Sequence, residues 1–254
     1  MTKIILDACN NHLGNKDLIL KMIQRAGELG ADYIKFQLYN PDKLNKNYPN
    51  YEHFKTTYEK CMITSDLLED IFEACCLYSI KPMFTIFSAD RLRVLDRVVT
   101  KLLRPSTSFA LKIASPDMSN YDLISKCRAI FPHTPLVISC GMHSPEDIEV
   151  VKKKYAEATF LYCISQYPTL PKYVDFKKMQ QFDGFSDHTQ STVCAKEALR
   201  NCVGYIEMHF TLSREIPGND AIVSKNPEEL EDFMTYKNSL ESIDKYKKRW
   251  TNGE

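Results

Sequence analysis

The stretch IILDACNNHLGNKDLILKMIQRAGELGADYIKFQ, residues 4–37, holds a complete strand–helix–strand unit. Ile4 to Cys9 is a short apolar run of the kind that forms a buried strand. Asn15 can cap a helix through Leu18, Ile19, Met22, Ile23 and Ala26, whose spacing of three and four puts them on one face. That helix ends near Gly30, and Ala31 to Gln37 begins a second strand at once. Both strand runs are nearly continuous in apolar residues rather than alternating, the pattern of parallel strands covered on both sides.

Working outward, the same unit recurs along the chain. Further strand runs are Pro82 to Phe87, Phe109 to Ser115, Pro135 to Cys140, Ala158 to Ser165, Phe182 to His188 and Gly204 to Phe210. Between them, Ser65 precedes a helix running to Tyr78, and Ser144-Pro145-Glu146-Asp147 places proline and two carboxylates at a helix start. Thr192 to Asn201 and Pro227 to Ser239 complete the helices. Eight βα units in 254 residues predict a (β/α)8 TIM barrel occupying 1–254 as one domain. A doubly wound sheet would carry a glycine-rich phosphate turn after its first strand, and Cys9-Asn10-Asn11-His12-Leu13-Gly14 is not one.

Composition narrows the function. The 33 basic and 33 acidic side chains cancel, so no electrostatic footprint for nucleic acid or an anionic membrane is expected. No apolar run approaches the ~20 residues of a membrane-spanning helix, and Met1-Thr2-Lys3-Ile4 does not open a signal sequence. Nine scattered cysteines, Cys9, Cys61, Cys75, Cys76, Cys127, Cys140, Cys163, Cys194 and Cys202, show no zinc-knuckle spacing and read as reduced, mostly buried thiols of a cytoplasmic protein. Two long connections, Leu38 to Thr64 and Thr211 to Asn226, follow strand ends and are expected to act as lids.

In such a barrel the strand ends converge on one mouth, and here that mouth is polar. It would collect Asp7, Asn10, Asn11 and His12, then Lys35, Gln37, Thr85, Ser88, Lys112, Ser115 and Asp117. Ser139, Ser165, Tyr167, Ser186, Asp187, His188, Glu207, His209 and Asp220 complete it. Lys35 and Lys112 lie inside apolar runs, where burial costs several kcal/mol without an anionic partner, so an inward, ligand-facing position is expected. With Thr85, Ser115, Ser139 and Ser186, Lys112 forms a plausible ring of donors for one phosphate. His188 and His209 end neighbouring strands, about 4.8 Å apart, and can aim two imidazoles at one ion. With only two imidazoles, an octahedral Mn²⁺ or Mg²⁺ fits better than closed structural zinc, and Co²⁺ is a further candidate. His53, His133 and His143 have no matching context and read as surface residues.

Eight motifs in order resemble the sialic acid synthases, the phosphoenolpyruvate-dependent N-acetylneuraminate synthase family. They are Asn11-His12-Leu13-Gly14-Asn15, Lys35-Phe36-Gln37, Lys112-Ile113-Ala114-Ser115 and Ile138-Ser139-Cys140-Gly141-Met142, followed by Cys163-Ile164-Ser165-Gln166-Tyr167-Pro168, Gly184-Phe185-Ser186-Asp187-His188-Thr189, Glu207-Met208-His209-Phe210-Thr211 and Pro217-Gly218-Asn219-Asp220. The resemblance implies condensation of phosphoenolpyruvate with the open-chain aldehyde of an N-acetylated aminosugar, giving a 2-keto-3-deoxy sugar acid and phosphate; the alternatives are a synthase of a seven- or eight-carbon sugar acid from a phosphorylated aldose, and a non-catalytic barrel that binds phosphoenolpyruvate or metal as a regulatory or scaffold subunit. It places a divalent metal, usually Mn²⁺, on His188 and His209. Phosphoenolpyruvate falls to Thr85, Lys112, Ser115, Ser139 and Ser186, and the sugar to Asp7, Lys35, Gln37, Ser165, Tyr167 and Asp220. Asp7, Lys35 and Asp117 are the expected catalytic groups. The family usually has Glu where Asp7 and Asp117 stand, which sets both carboxylates back by ~1.3 Å, a displacement that can cost about 10²-fold in rate. His is common there at Tyr162 and Pro at Asn219. The family also adds a C-terminal antifreeze-like domain, so a homodimer or a separate capping polypeptide is the expected partner.

Overall fold

Each apolar run pairs in parallel with the next, and the last returns to the first, closing a barrel in the order β1 to β8. The computed structural model describes residues 1–44, 51–102, 108–201 and 203–252; residues 45–50 of the first long connection, Cys202 and the side chain of His53 lie outside the described set. The strands are β1 (Lys3–Asp7), β2 (Tyr33–Leu38), β3 (Lys81–Ile86), β4 (Ala110–Ile113), β5 (Leu136–Ser139), β6 (Thr159–Cys163), β7 (Gly184–Asp187) and β8 (Tyr205–His209). The closing seam pairs Asp7 with His209 and Ile5 with Glu207. The (β/α)8 expectation is met.

Helices fill the outside: α1 (Lys16–Glu28), α2 (Tyr51–Cys61), α3 (Ser65–Leu77), α4 (Ala89–Leu102), α5 (Tyr121–Ile130), α6 (Pro145–Lys154), α7 (Phe176–Met179), α8 (Val193–Arg200) and α9 (Pro227–Asn252). Asn15 caps α1 by accepting from the Leu18 amide, and Ile19, Met22, Ile23 and Ala26 are its buried face. Gly30, at φ +75°, makes the left-handed turn into β2. In α6, Ser144 caps, Pro145 opens the first turn, and Lys152, Lys153 and Lys154 close the negative end of the dipole. The cap of α3 is Thr64, whose hydroxyl accepts from the Leu67 amide, so Ser65 is the first helical residue rather than its flank. The 38–64 connection carries a helix of its own, α2, and α9 runs well beyond Ser239.

The period of two along each strand divides the interior. Outward residues such as Ile4, Leu6, Ile34, Phe36, Phe84, Leu111, Ile138 and Phe185 pack beneath the helices. Inward, Ile5, Tyr33, Met83, Ala110, Val137 and Leu161 form an apolar plug with Tyr205. Gly184 occupies the β7 position because a Cβ there would stand 2.5 Å from the Tyr205 carbonyl oxygen. Two residues further along the eight strands stand Asp7, Lys35, Thr85, Lys112, Ser139, Cys163, Ser186 and Glu207, all buried. The plug is thus the dry base on which a polar floor rests.

Candidate functional site

A buried charge network occupies that floor. The Lys35 ammonium lies 2.6 Å from Asp7 Oδ2 and 3.6 Å from Glu207 Oε2. Lys112 reaches Glu207 Oε2 at 3.9 Å and donates to Ser139 Oγ at 2.6 Å. Lys35 also donates to Thr85 Oγ1 at 3.3 Å, and Ser186 Oγ donates to Glu207 Oε1 at 2.8 Å. The two lysines are only 4% and 2% exposed, so the inward position expected of them holds, and their partners are the two carboxylates. Burial works against the Lys35 charge, but Asp7 and then Glu207 more than offset it and hold its pKa above the usual range. For Lys112 burial prevails over the pull of Glu207, and its pKa is lowered. Glu207, despite its burial, is held below the usual carboxylate range by Lys112 and Lys35.

Two imidazoles stand above the floor, with ring centroids 5.3 Å apart. His188 Nδ1 lies 2.6 Å from the Ile164 carbonyl oxygen. A carbonyl only accepts, so Nδ1 carries the proton and Nε2 presents its lone pair to the mouth, where the Tyr167 hydroxyl donates to it at 3.0 Å. His209 Nδ1 lies 2.9 Å from Cys9 Sγ, and its Nε2 is 4.0 Å from Asp7 Oδ2. Burial, helped by the neighbouring histidine for His188 and by Lys35 for His209, lowers both pKa values to about 3. Both rings are therefore neutral near pH 7, the form that binds a metal. Tyr167 stacks on His188 with centroids 4.2 Å apart and leaves about half of its surface, 49%, exposed at the rim.

The remaining expected residues lie around the rim. Ser115 is buried; its hydroxyl accepts from the Met142 amide at 2.8 Å and its carbonyl from His143 Nε2 at 2.9 Å. His143 is thus a half-buried strut between the β4 and β5 loops, not the surface residue read from sequence. Asp117 is half-buried in the 3-10 turn Ser115–Asp117. Gln37 and Asp220 are half-buried, and Ser165 is exposed. Burial, with Asp7 nearby, pushes the Asp220 pKa up to about 6.

Asn10, Asn11 and His12 turn out to brace the first loop. Asn10 Oδ1 accepts from the Tyr39 hydroxyl at 2.8 Å, and Asn11 Nδ2 donates to the Phe210 carbonyl and to Ser224 Oγ, both at 2.8 Å. His12 accepts from the Gly14 amide at 3.1 Å. Asp187 points out of the barrel and accepts from the Thr189 amide at 2.8 Å. The long connections after β2 and β8 rise, by topology, from the same end as the polar floor, where lids would have to be. Among the described residues, no helix is long and apolar enough to cross a membrane.

Two groups had no assigned role in the sequence. Glu207 had been placed at the mouth, but its position between both lysines depends on barrel closure. Cys9 had been counted among inert thiols, yet Asp7, Cys9 and His209 place one donor atom each within 4.8 Å of one another.

The description "NeuB family" matches residues 22–249. The chain belongs to the NeuB family. It is 29% identical to the N,N'-diacetyllegionaminic acid synthase of Legionella pneumophila, the match covering 94% of this chain and 72% of the relative. Against the human N-acetylneuraminate-9-phosphate synthase the identity is 25%, over 91% of this chain and 68% of the relative. The solved N-acetylneuraminic acid synthetase of Leptospira borgpetersenii, in complex with citrate, superposes with a TM-score of 0.83 at 26% identity, covering 95% of this chain and 84% of that one. The NeuB barrel carries its polar floor at strand ends named in the sequence, Glu207 among them.

Proposed function

We propose that this NeuB protein condenses phosphoenolpyruvate with the open-chain aldehyde of an N-acylated aminosugar, yielding a 2-keto-3-deoxy sugar acid and phosphate. Family membership makes it a synthase of the sialic acid type; the acceptor and the residue roles are the proposal. The observation that carries it is one floor holding two kinds of site. Lys112 and Ser139, 2.6 Å apart, with Thr85 and Ser186 on the same floor and Ser115 at the rim, would supply charge and hydroxyl donors for a phosphate. Asp7 and Lys35, 2.6 Å apart, supply a base and an acid beneath two neutral imidazoles.

In the proposed reaction the methylene carbon of phosphoenolpyruvate forms a bond to the aldehyde carbon, and Lys35 delivers a proton to the aldehyde oxygen. Water then adds to the resulting cationic carbon, losing a proton to a carboxylate, for which Asp7 and Asp117 are the candidates. The carbon–oxygen bond to phosphate breaks as the new hydroxyl loses its proton, which leaves the ketone. Throughout, Lys112 and the hydroxyl ring hold the phosphate, while Gln37, Ser165, Tyr167 and Asp220 line the rim on the sugar side. Asp7, one methylene shorter than the family's glutamate, still touches Lys35, so the pair survives the shortening. A divalent ion fits His188 and His209, whose neutral rings meet above the floor, and when bound it supplies Lewis-acid polarisation of the aldehyde oxygen.

The test is phosphate release from phosphoenolpyruvate in the presence of a divalent ion, across unphosphorylated and phosphorylated aldoses, with mass spectrometry of the product. Release that requires one N-acylated aminosugar, with a product heavier by the pyruvoyl unit, is the expected result. Release only with a phosphorylated aldose would replace the acceptor, and phosphoenolpyruvate binding without turnover on any acceptor would refute the reading.

A further inference from the structure

We propose that His143, together with the Met142 amide, is a positioning residue for the phosphate end of the substrate: it clamps the turn after β4 and so holds the Ser115 hydroxyl where it can donate to the oxyanion beside Lys112. The inference rests on the phosphate site of the preceding section and not on the identity of the acceptor.

The case begins with the turn. Lys112, Ser115 and Asp117 fall within six residues, so one short segment carries the phosphate lysine, a hydroxyl donor and a candidate proton acceptor. The segment closes as a 3-10 turn of three residues, Ser115–Asp117. In it the Asp117 amide donates to the Ala114 carbonyl at 3.0 Å and the Met118 amide to the Ser115 carbonyl at 3.3 Å. Hydrogen-bond geometry in such a turn is poorer than in an α-helix, and a group that must meet a phosphate oxygen needs support from its surroundings as well.

The loop after β5 gives that support. Ser115 Oγ accepts from the Met142 amide at 2.8 Å. The amide takes one lone pair and leaves the hydroxyl its proton to donate. The Ser115 carbonyl accepts from His143 Nε2 at 2.9 Å, a shorter bond than the one it receives from Met118. A carbonyl only accepts, so Nε2 carries the proton. Two consecutive residues of one loop thus grip a single serine of the next by both its hydroxyl and its carbonyl.

The gripping loop is itself anchored at both ends. On one side the Cys140 amide donates to the Leu161 carbonyl at 3.1 Å. Gly141 there lies so close to the end of β6 that a Cβ on it would stand 2.6 Å from Cys163 Sγ and 2.8 Å from Ser165 Oγ. On the other side Ser144 caps α6, its hydroxyl accepting from the Asp147 amide at 3.2 Å. Met142 and His143 span these two fixed points, so the donors they carry are fixed as well. A bond that served the fold alone would show in stability and not in affinity, and that difference sets the test.

The whole chain and its variants are titrated calorimetrically with phosphoenolpyruvate and with inorganic phosphate, and their ligand-free melting midpoints are recorded. His143→Phe keeps a flat ring and removes the donor, whereas His143→Gln restores a donor at similar reach. His143→Phe should weaken both ligands about 10-fold, the scale of one hydrogen bond, with a ligand-free midpoint within ~4 °C of wild type. His143→Gln should recover the affinity to within ~3-fold. Beside Ser115→Ala, His143→Phe should cost less than ~2-fold more, because the hydroxyl it positions is gone. Unchanged affinity in His143→Phe, with or without a lowered midpoint, overturns the proposal. So does a His143→Gln variant as weak as His143→Phe, or a full further loss beside Ser115→Ala. The parent site fails separately: it falls, and this inference with it, if wild type binds neither ligand or if Lys112→Met binds phosphoenolpyruvate as tightly as wild type. Binding that Lys112→Met and Ser115→Ala weaken but His143→Phe does not strikes the role of His143 alone.

Discussion

Replacing Glu207 by Gln removes one charge and almost no volume from the centre of the floor. Gln can still accept from Ser186, which donates to Oε1 at 2.8 Å, so the change is close to purely electrostatic. Two ammonium groups lie 3.6 and 3.9 Å from Oε2; at an effective dielectric near 20 each such contact is worth about 4 kcal/mol before desolvation is charged against it. Asp7 remains to balance Lys35, and the ion left without a carboxylate is Lys112. Breaking a buried pair from one side typically costs about 3–5 kcal/mol. For a chain of this size each kcal/mol moves the melting temperature by roughly 2–4 °C, so E207Q should melt about 10 °C below wild type in buffer. An oxyanion beside Lys112 supplies the missing charge. Inorganic phosphate or phosphoenolpyruvate should therefore raise the E207Q midpoint by more than it raises wild type, and recover about half of the loss at ~100-fold saturation. Differential scanning fluorimetry with and without phosphate is the assay. An E207Q midpoint within ~2 °C of wild type, or equal phosphate shifts in the two proteins, would refute the charge network as described.

The lysines should separate in kinetics: Lys112→Met raises KM for phosphoenolpyruvate by roughly 10²-fold through loss of a charged phosphate contact, while Lys35→Met lowers kcat by about 10²–10⁴-fold with KM less affected. Steady-state rates with each substrate varied decide this, and a KM effect from Lys35→Met alone would reverse the roles. Asp117→Asn should reduce turnover by about 10²-fold if Asp117 guides the attacking water; unchanged turnover removes it from the mechanism. Burial beside Asp7 puts the Asp220 pKa at about 6 in the folded protein, above its unfolded value near 3.9. The folded state thus binds a proton that the unfolded chain does not across that window, and stability gains on acidification from pH 6 toward 4. Asp220→Asn should flatten that gain in urea titrations run at several pH values, and an unaltered pH slope would show that Asp220 titrates normally.

Most of the fold was legible because parallel strands covered on both faces are spelled as unbroken apolar runs, and each run from Ile4 to Phe210 became a strand within a few residues. The helix α2 was not, since Tyr51 to Cys61 is rich in polar and aromatic residues and shows no clear apolar stripe. The charged pairs were half legible. A buried lysine demands an anionic partner, and Lys35 and Lys112 announce that demand, but the sequence alone answers it with a bound ligand and not with a carboxylate. Only barrel closure reveals that Glu207 lies between the lysines, because its neighbours come from β2 and β4 and not from its own hairpin of sequence. A signal was present: Glu207 and His209 are two apart on one strand, so they share a face, and an inward His209 entails an inward Glu207.

The unequal bonding of the two lysines argues for unequal work. Lys35 is held on three sides, by Asp7 at 2.6 Å, Thr85 at 3.3 Å and Glu207 at 3.6 Å. A phosphate arriving there would have to displace a carboxylate already in contact. Lys112 donates to the Ser139 hydroxyl at 2.6 Å and, at the long end of the range, to the Ile113 carbonyl at 3.4 Å, with a carboxylate only at 3.9 Å. A hydroxyl can turn to share its lysine with an anion, and a charge 3.9 Å away is easily outbid by an oxyanion at hydrogen-bond distance. Burial lowers the Lys112 pKa, and an anion at hydrogen-bond distance would act against that by favouring the charged form. In the proposed reaction Lys112 is therefore the residue to take the phosphate, and Lys35, fixed against Asp7 beneath the imidazoles, the one to keep a proton for the aldehyde oxygen.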